Sequence, residues 1–203
     1  PPRSTLFPYT TLFRSAFLAA ILAVTDLGAS KYGDDEIIGN NAKANVYAWY
    51  QSKSVKQSLV EGQRDLLNTL IESGSIRSEQ VSALQTHVND LEEQIQRYNK
   101  EKKELLLGSA GVGRENWVQE IDGVFGKVVG AKEWDKKVEI LGQAGDLFDL
   151  ALLFLQLSLV LGAVALVIQK PSFKWWFYMA MVIIALVGCQ YSIRAFQVAL
   201  SVS

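Results

Sequence analysis

The sequence predicts an all-α integral membrane protein. It would have three transmembrane helices, with a long helical hairpin or coiled-coil domain between the first and the second. Three observations carry this. Residues 147–193 hold two apolar runs, LFDLALLFLQLSLVLGAVALVI and WWFYMAMVIIALVGCQYSI, parted only by QKPSFK. Each is about 20 residues long, the length that crosses a bilayer core as a helix. A shorter apolar run, AFLAAILAV, begins at Ala16. Between the two regions the pattern is polar, charged and helical, with apolar residues at three- and four-residue spacing.

The composition agrees. The chain has 203 residues, 49% of them hydrophobic and 20% charged, with net charge −1. Apolar spans joined to a charged domain give that mixture. The balanced charge offers no footprint for nucleic acid. One cysteine, Cys189, and one histidine, His87, allow neither a disulfide framework nor a Cys- or His-based metal cluster within one chain.

In chain order, residues 1–15 (PPRSTLFPYTTLFRS) resemble translated sequencing-adapter DNA and are set apart from the fold. Residues 16–27 are then the outer half of a first membrane helix. Residues 28–146 form the helical domain. Near Gly33, beside Asp34, Asp35 and Glu36, a break or a kink is expected. From Asn41 a helix resumes, with Val46, Trp49, Tyr50, Lys53, Lys56, Gln57 and Val60 on one face. Val55, Leu59, Leu66 and Leu70 make a neighbouring stripe. Gly74, between Ser73 and Ser75, turns the chain.

The clearest periodicity follows. Val81, Leu84, Val88, Leu91, Ile95, Tyr98, Lys102 and Leu105 alternate three and four residues apart, an a/d heptad with Lys102 as its misfit. His87 falls on the flank as a solvated residue. The heptad does not say whether its partner is this chain or another copy. A hairpin about Gly74 pairs residues whose numbers total about 148, setting Val60 near Val88, Tyr50 near Tyr98 and Lys56 near Glu92.

Gly108–Gly113 (GSAGVG) has no strand before it and no Gly-Lys-Ser/Thr after it. It is therefore a joint rather than a phosphate loop. Helix is expected again from Arg114, running into the membrane hairpin of residues 147–193. Residues 194–203 form a tail. In the second span, Ser158 and Gly162 have a small-xxx-small spacing, and with Gln156 they form a candidate helix contact. No acid or base lies deep in the spans, with Asp149 and Arg194 near their ends. That disfavours ion-coupled transport. Lys170 and Lys174 without an acid between the spans place that loop in the cytoplasm and residues 28–146 outside it.

The block Trp49-Tyr50-Gln51-Ser52-Lys53-Ser54-Val55-Lys56-Gln57 resembles the WxYYQAKSIKQ signature of a bacterial membrane-protein family catalogued as domain of unknown function 4337. Tyr98, Glu101 and Lys102 resemble its Tyr-x-x-Glu-Lys stretch, and Phe148, Ala151 and Gln156 its F-x-x-A-x-x-x-x-Q pattern. The resemblance implies the same order of parts but no activity. Lys53 and Lys56 beside Trp49 and Tyr50 could bind an anion, although a packed helix face accounts for them more simply.

No nucleophile–base pairing or cofactor motif stands out, so the expectation is a non-enzymatic protein without cofactors. Its partners would be the lipid bilayer and other copies of itself. The sequence reading is a structural or interaction protein of the bacterial inner membrane. An oligomeric ion channel, or a regulatory subunit of a transport complex, is the alternative.

Overall fold

The structure is a computed structural model that describes residues 6–202, with side chains from residue 16 onward. The adapter-like stretch 1–15 lies outside the residues with described side chains. The chain is almost wholly helical: α1 (Leu6–Glu72), α2 (Ser78–Leu107), the single turn α3 (Ser109–Val112), α4 (Ala131–Val167) and α5 (Pro171–Leu200). It forms two compact units. One comprises Gly39–Lys136, and the other the chain up to Ile38 together with Lys137 onward.

In the Gly39–Lys136 unit, α1 and α2 run antiparallel about the turn at Gly74, which has a positive φ of 67° that favours glycine. The heptad is the inner face. Val88, Ile95 and Leu105 are buried and Val81, Leu84, Leu91, Tyr98 and Lys102 half-buried, while most of the flanking residues are exposed. His87 is exposed, with Nδ1 4.0 Å from Asp90. On α1 the protected positions recur at Trp49/Tyr50, Lys53, Gln57, Val60, Arg64 and Leu67. The partner of this heptad face is therefore the same chain.

The register differs from the one expected. Arg64 meets Glu92 at 2.8 Å and Lys53 meets Glu101 at 2.6 Å, where the Gly74 midpoint placed residues 84 and 95. Tyr50 meets Lys102 rather than Tyr98. The offsets are four to eight residues, about one to two helical turns. The loop contributes to them: α1 ends at Glu72 and α2 starts only at Ser78, so the midpoint lies beyond Gly74.

Two further expectations are corrected. There is no break at Gly33, since α1 is helical throughout Leu6–Glu72. The intrinsic cost of one glycine, about 1 kcal/mol, is overcome where Tyr32 beside it is buried in a core cluster. Nor is the chain helical from Arg114. Residues Arg114–Asn116 form a 3-10 turn, and Glu120–Ile121 (β1) pairs antiparallel with Val124–Phe125 (β2). Asp122 (φ 51°) and Gly123 (φ 76°) make the tight turn between them, in a conformation no helix admits.

In the other unit the inner faces are again heptads, now rich in small residues. On α4 they are Leu141, Ala144, Phe148, Ala151, Leu155, Ser158, Gly162 and Ala165, and on α5 Met181, Ala185, Gly188, Ser192, Ala195 and Ala199, all buried. Gly188 is needed for close approach, because a Cβ there would lie 2.9 Å from Leu155 Cγ. Tyr32 of α1 stacks on Phe148 of α4 at 5.9 Å, and Phe196 of α5 closes on both edge-to-face. Nearby, the Thr25 and Ser192 hydroxyls meet at 2.9 Å.

Many of the large apolar residues point outward, among them Leu153, Leu157, Val160, Ile183 and Leu186. Pro171 opens α5 at its first turn, where a missing N–H costs nothing.

Two helices among the described residues, rather than the three expected, are long and apolar enough to cross a membrane. They are α4 (37 residues, mean hydropathy 2.6 in its most apolar window) and α5 (30 residues, 1.7). Residues 16–27 are not among them. Their apolar run is interrupted at Thr25-Asp26, short of the roughly 20 residues a span needs.

Candidate functional site

The residues of the WYQSKSVKQ block converge on those of the Tyr-x-x-Glu-Lys stretch across the α1–α2 seam. The helical period explains which ones. Positions 50, 53 and 57 share one stripe of α1, and 98, 101, 102 and 105 one stripe of α2.

At the centre is Glu101, 3% exposed. Its Oε2 is 2.6 Å from Lys53 Nζ, and its Oε1 accepts a hydrogen bond from Arg97 Nε at 3.0 Å. One carboxylate thus lies between two cations at low exposure, where ion pairing counts for more than at the surface. Lys53 also lies over the Tyr98 ring (5.8 Å to its centre), and Lys102 over Tyr50 (5.7 Å). Lys102, the misfit of the heptad, is thus a cation on an aromatic face.

Gln57 is buried and donates from Nε2 to Glu61 Oε1 at 2.7 Å. Its Oε1 has no hydrogen-bond partner among the described residues. Trp49 is half-buried on the same side, whereas Gln51 and Lys56 are exposed and turned away. The signature therefore divides into a part that closes the hairpin and a part that faces solvent.

A second fastening lies further along the same unit. Lys43 Nζ is 2.9 Å from Asp135 Oδ1, and Tyr47 donates its hydroxyl to Asp135 Oδ2 at 3.0 Å. The Lys43 contact is the main reason Asp135 is held below the ordinary carboxyl value of 3.8; desolvation opposes it and Tyr47 assists. Tyr47 is raised in turn above 10.0, chiefly by donating to Asp135.

Sequence reasoning missed a third cluster. Glu104, fully buried, accepts from Ser109 Oγ (2.7 Å) and from the backbone N–H groups of Val118 and Gln119 (2.8 Å each). Ser109 Oγ also accepts from the Val128 N–H at 3.0 Å. Trp117 Nε1 donates to the Ser109 carbonyl at 2.7 Å. These bonds pin the β1–β2 segment to the end of α2. Gly130 completes the join, since a Cβ there would lie 2.1 Å from Gly108 N. The Asp122-Gly123 pair between Ile121 and Val124 was the available signal, being a standard two-residue hairpin turn.

In the other unit, Ser158 and Gly162 both lie on the buried face of α4, and Ser158 donates to the Leu155 carbonyl at 2.7 Å. Gln156 does not join them and faces outward. Among the described residues no group of three or more His, Cys, Asp or Glu is placed to hold a metal ion.

Comparison with curated proteins and with solved structures gave no match. A family model does match, over residues 13–198, from within α1 to within α5. The chain belongs to the family described as Domain of unknown function (DUF4337).

Proposed function

We propose that this chain is a membrane-anchored scaffold, an interaction protein of the bacterial envelope that associates with copies of itself. The observation that carries the reading is the apolar exterior of the unit built on α4 and α5. Large apolar residues cover the outside, while the inner seams are rich in small residues with Leu141, Phe148, Leu155 and Met181 among them. A helix in the core of a water-soluble protein buries its apolar surface. Here only 28% and 22% of the two most apolar windows are buried. A bilayer satisfies such an exterior, and small residues let membrane helices approach closely. The N-terminal part of α1 lies against these two spans through Leu18, Thr25 and Tyr32.

The Gly39–Lys136 unit supports a structural rather than a chemical role. Its signature side chains Tyr50, Lys53, Tyr98, Glu101 and Lys102 are engaged with one another. Lys170 and Lys174, in and just after the short loop between α4 and α5, favour the cytoplasmic side of the inner membrane for that loop and leave this unit outside it.

The alternative, an ion channel or transport subunit, draws on the buried hydroxyls Thr25, Ser158 and Ser192. Those groups are already hydrogen-bonded within the unit. Proteoliposomes separate the readings. A scaffold remains with the membrane through alkaline carbonate extraction and leaves ion leakage at the level of empty vesicles. Protein-dependent flux would establish the alternative, and release by carbonate would refute the anchor.

A further inference from the structure

The outward face of α5 has a periodicity of its own. Ile183, Leu186, Gln190, Ile193, Gln197 and Leu200 recur three and four residues apart, and all six are exposed. Ile183, Leu186, Ile193 and Leu200 are 56–65% exposed. This is an a/d seam of the kind that packs helix against helix. It lies opposite the buried seam of Met181, Ala185, Gly188, Ser192, Ala195 and Ala199, so packing within the chain leaves it free.

Two members of the outer seam are amides. Gln190 and Gln197 are one heptad apart, so both occupy a positions. Neither makes a hydrogen bond among the described residues. Gln190 lies within the apolar run, where a carboxamide facing hydrocarbon leaves donors and acceptors unsatisfied, at a real cost; Gln197 lies past Arg194, at the end of the span, where the cost is smaller. An identical amide facing it removes that cost, because each group is both donor and acceptor. Copies inserted in one membrane share one orientation, so their α5 helices run parallel. In a parallel pair, a positions meet their own counterparts.

We infer that α5 packs side by side with α5 of a second copy through this seam, with Gln190 bonded to its counterpart and Gln197 to its own. This rests on the proposed bilayer anchoring and names the surface of the proposed self-association.

The test uses the full chain in mild detergent, in a Cys189→Ser background. Oxidation should join two chains through Ile193→Cys, on the seam. It should not do so through Leu157→Cys, on the outward face of α4. The double variant Gln190→Leu/Gln197→Leu should dissociate more readily, by about three- to tenfold for each amide pair lost. Gln190→Asn/Gln197→Asn, which keeps the amide, should recover part of that. A chain that is monomeric at every concentration overturns both the seam and self-association. An oligomer that cross-links through Leu157→Cys but not Ile193→Cys, or that is undiminished in the double leucine variant, overturns the seam and leaves self-association standing.

Discussion

Lys53 and Glu101 show how much a single charge depends on where the backbone puts it. With Glu101 buried against Lys53, whose side chain is only 16% exposed, Glu101→Gln keeps the shape but strands that lysine, while Arg97, 70% exposed, stays solvated. Breaking a buried pair costs about 3 kcal/mol or more, so this variant should unfold at clearly lower denaturant. Glu92→Gln removes one of the two acids that Arg64 meets, where the Glu92 side chain is 45% exposed, and it should cost about 0–1 kcal/mol. Equal losses in the two variants, measured by equilibrium unfolding, would contradict this account. The sequence placed both lysines of the signature on one face. Burial separates them, because Lys53 shares the protected stripe of Tyr50 and Gln57 whereas Lys56, about 100° round the helix from Gln57, is exposed.

Asp135 adds a pH dependence with a defined sign. Its depressed carboxyl stabilises the fold above the ordinary value of 3.8, and that contribution is lost as pH falls through the lower folded value. The raised Tyr47 limits the other side: its contribution is present below 10.0 and lost as pH rises past the folded value. Asp135→Asn should therefore melt below the unmodified chain between about pH 5 and pH 9, with the gap closing toward both extremes. A gap that widened with acid would have the wrong sign.

At the scale of elements, the long helices and the heptad were legible because each repeats one signal over many turns. The segment between α2 and α4 was not. Its order comes from single residues far apart in sequence: Glu104 capping the Val118 and Gln119 amides, Ser109 holding Val128, and Gly130 against Gly108. No window of sequence contains those pairs. Glycines here have opposite values. Gly130→Ala drives a Cβ into backbone and should destabilise by about 1–3 kcal/mol. Gly62, helical with no atom within 4 Å of an added Cβ, should gain about 0.4–1 kcal/mol as alanine. Thermal melts of the two variants should move in opposite directions.

The register shows a similar limit. Faces were readable from periodicity, but axial position depends on where the loop ends, and α2 begins only at Ser78. In a Cys189→Ser background, Val60→Cys with Ile95→Cys should cross-link within one chain, and Val60→Cys with Val88→Cys should do so poorly. The reverse would restore the register centred on Gly74.

For the whole molecule, the family match and the helical architecture came within reach of the sequence because the signature and the apolar runs are local patterns. The first run was overread as a span. AFLAAILAV is apolar but short, and what packs around it is decided by residues such as Met181 and Ser192 more than 150 positions away. The central claim is that the apolar exterior of α4 and α5 sits in a bilayer, with the outward face of α4 against lipid. Its most direct measurement is the environment of a nitroxide at Leu157→Cys, Cys189→Ser, in liposomes. Lipid contact predicts collisions with dissolved oxygen far more frequent than with a water-soluble nickel complex. The opposite order, or equal access to both, would mean that this face meets water and that the bilayer reading is wrong.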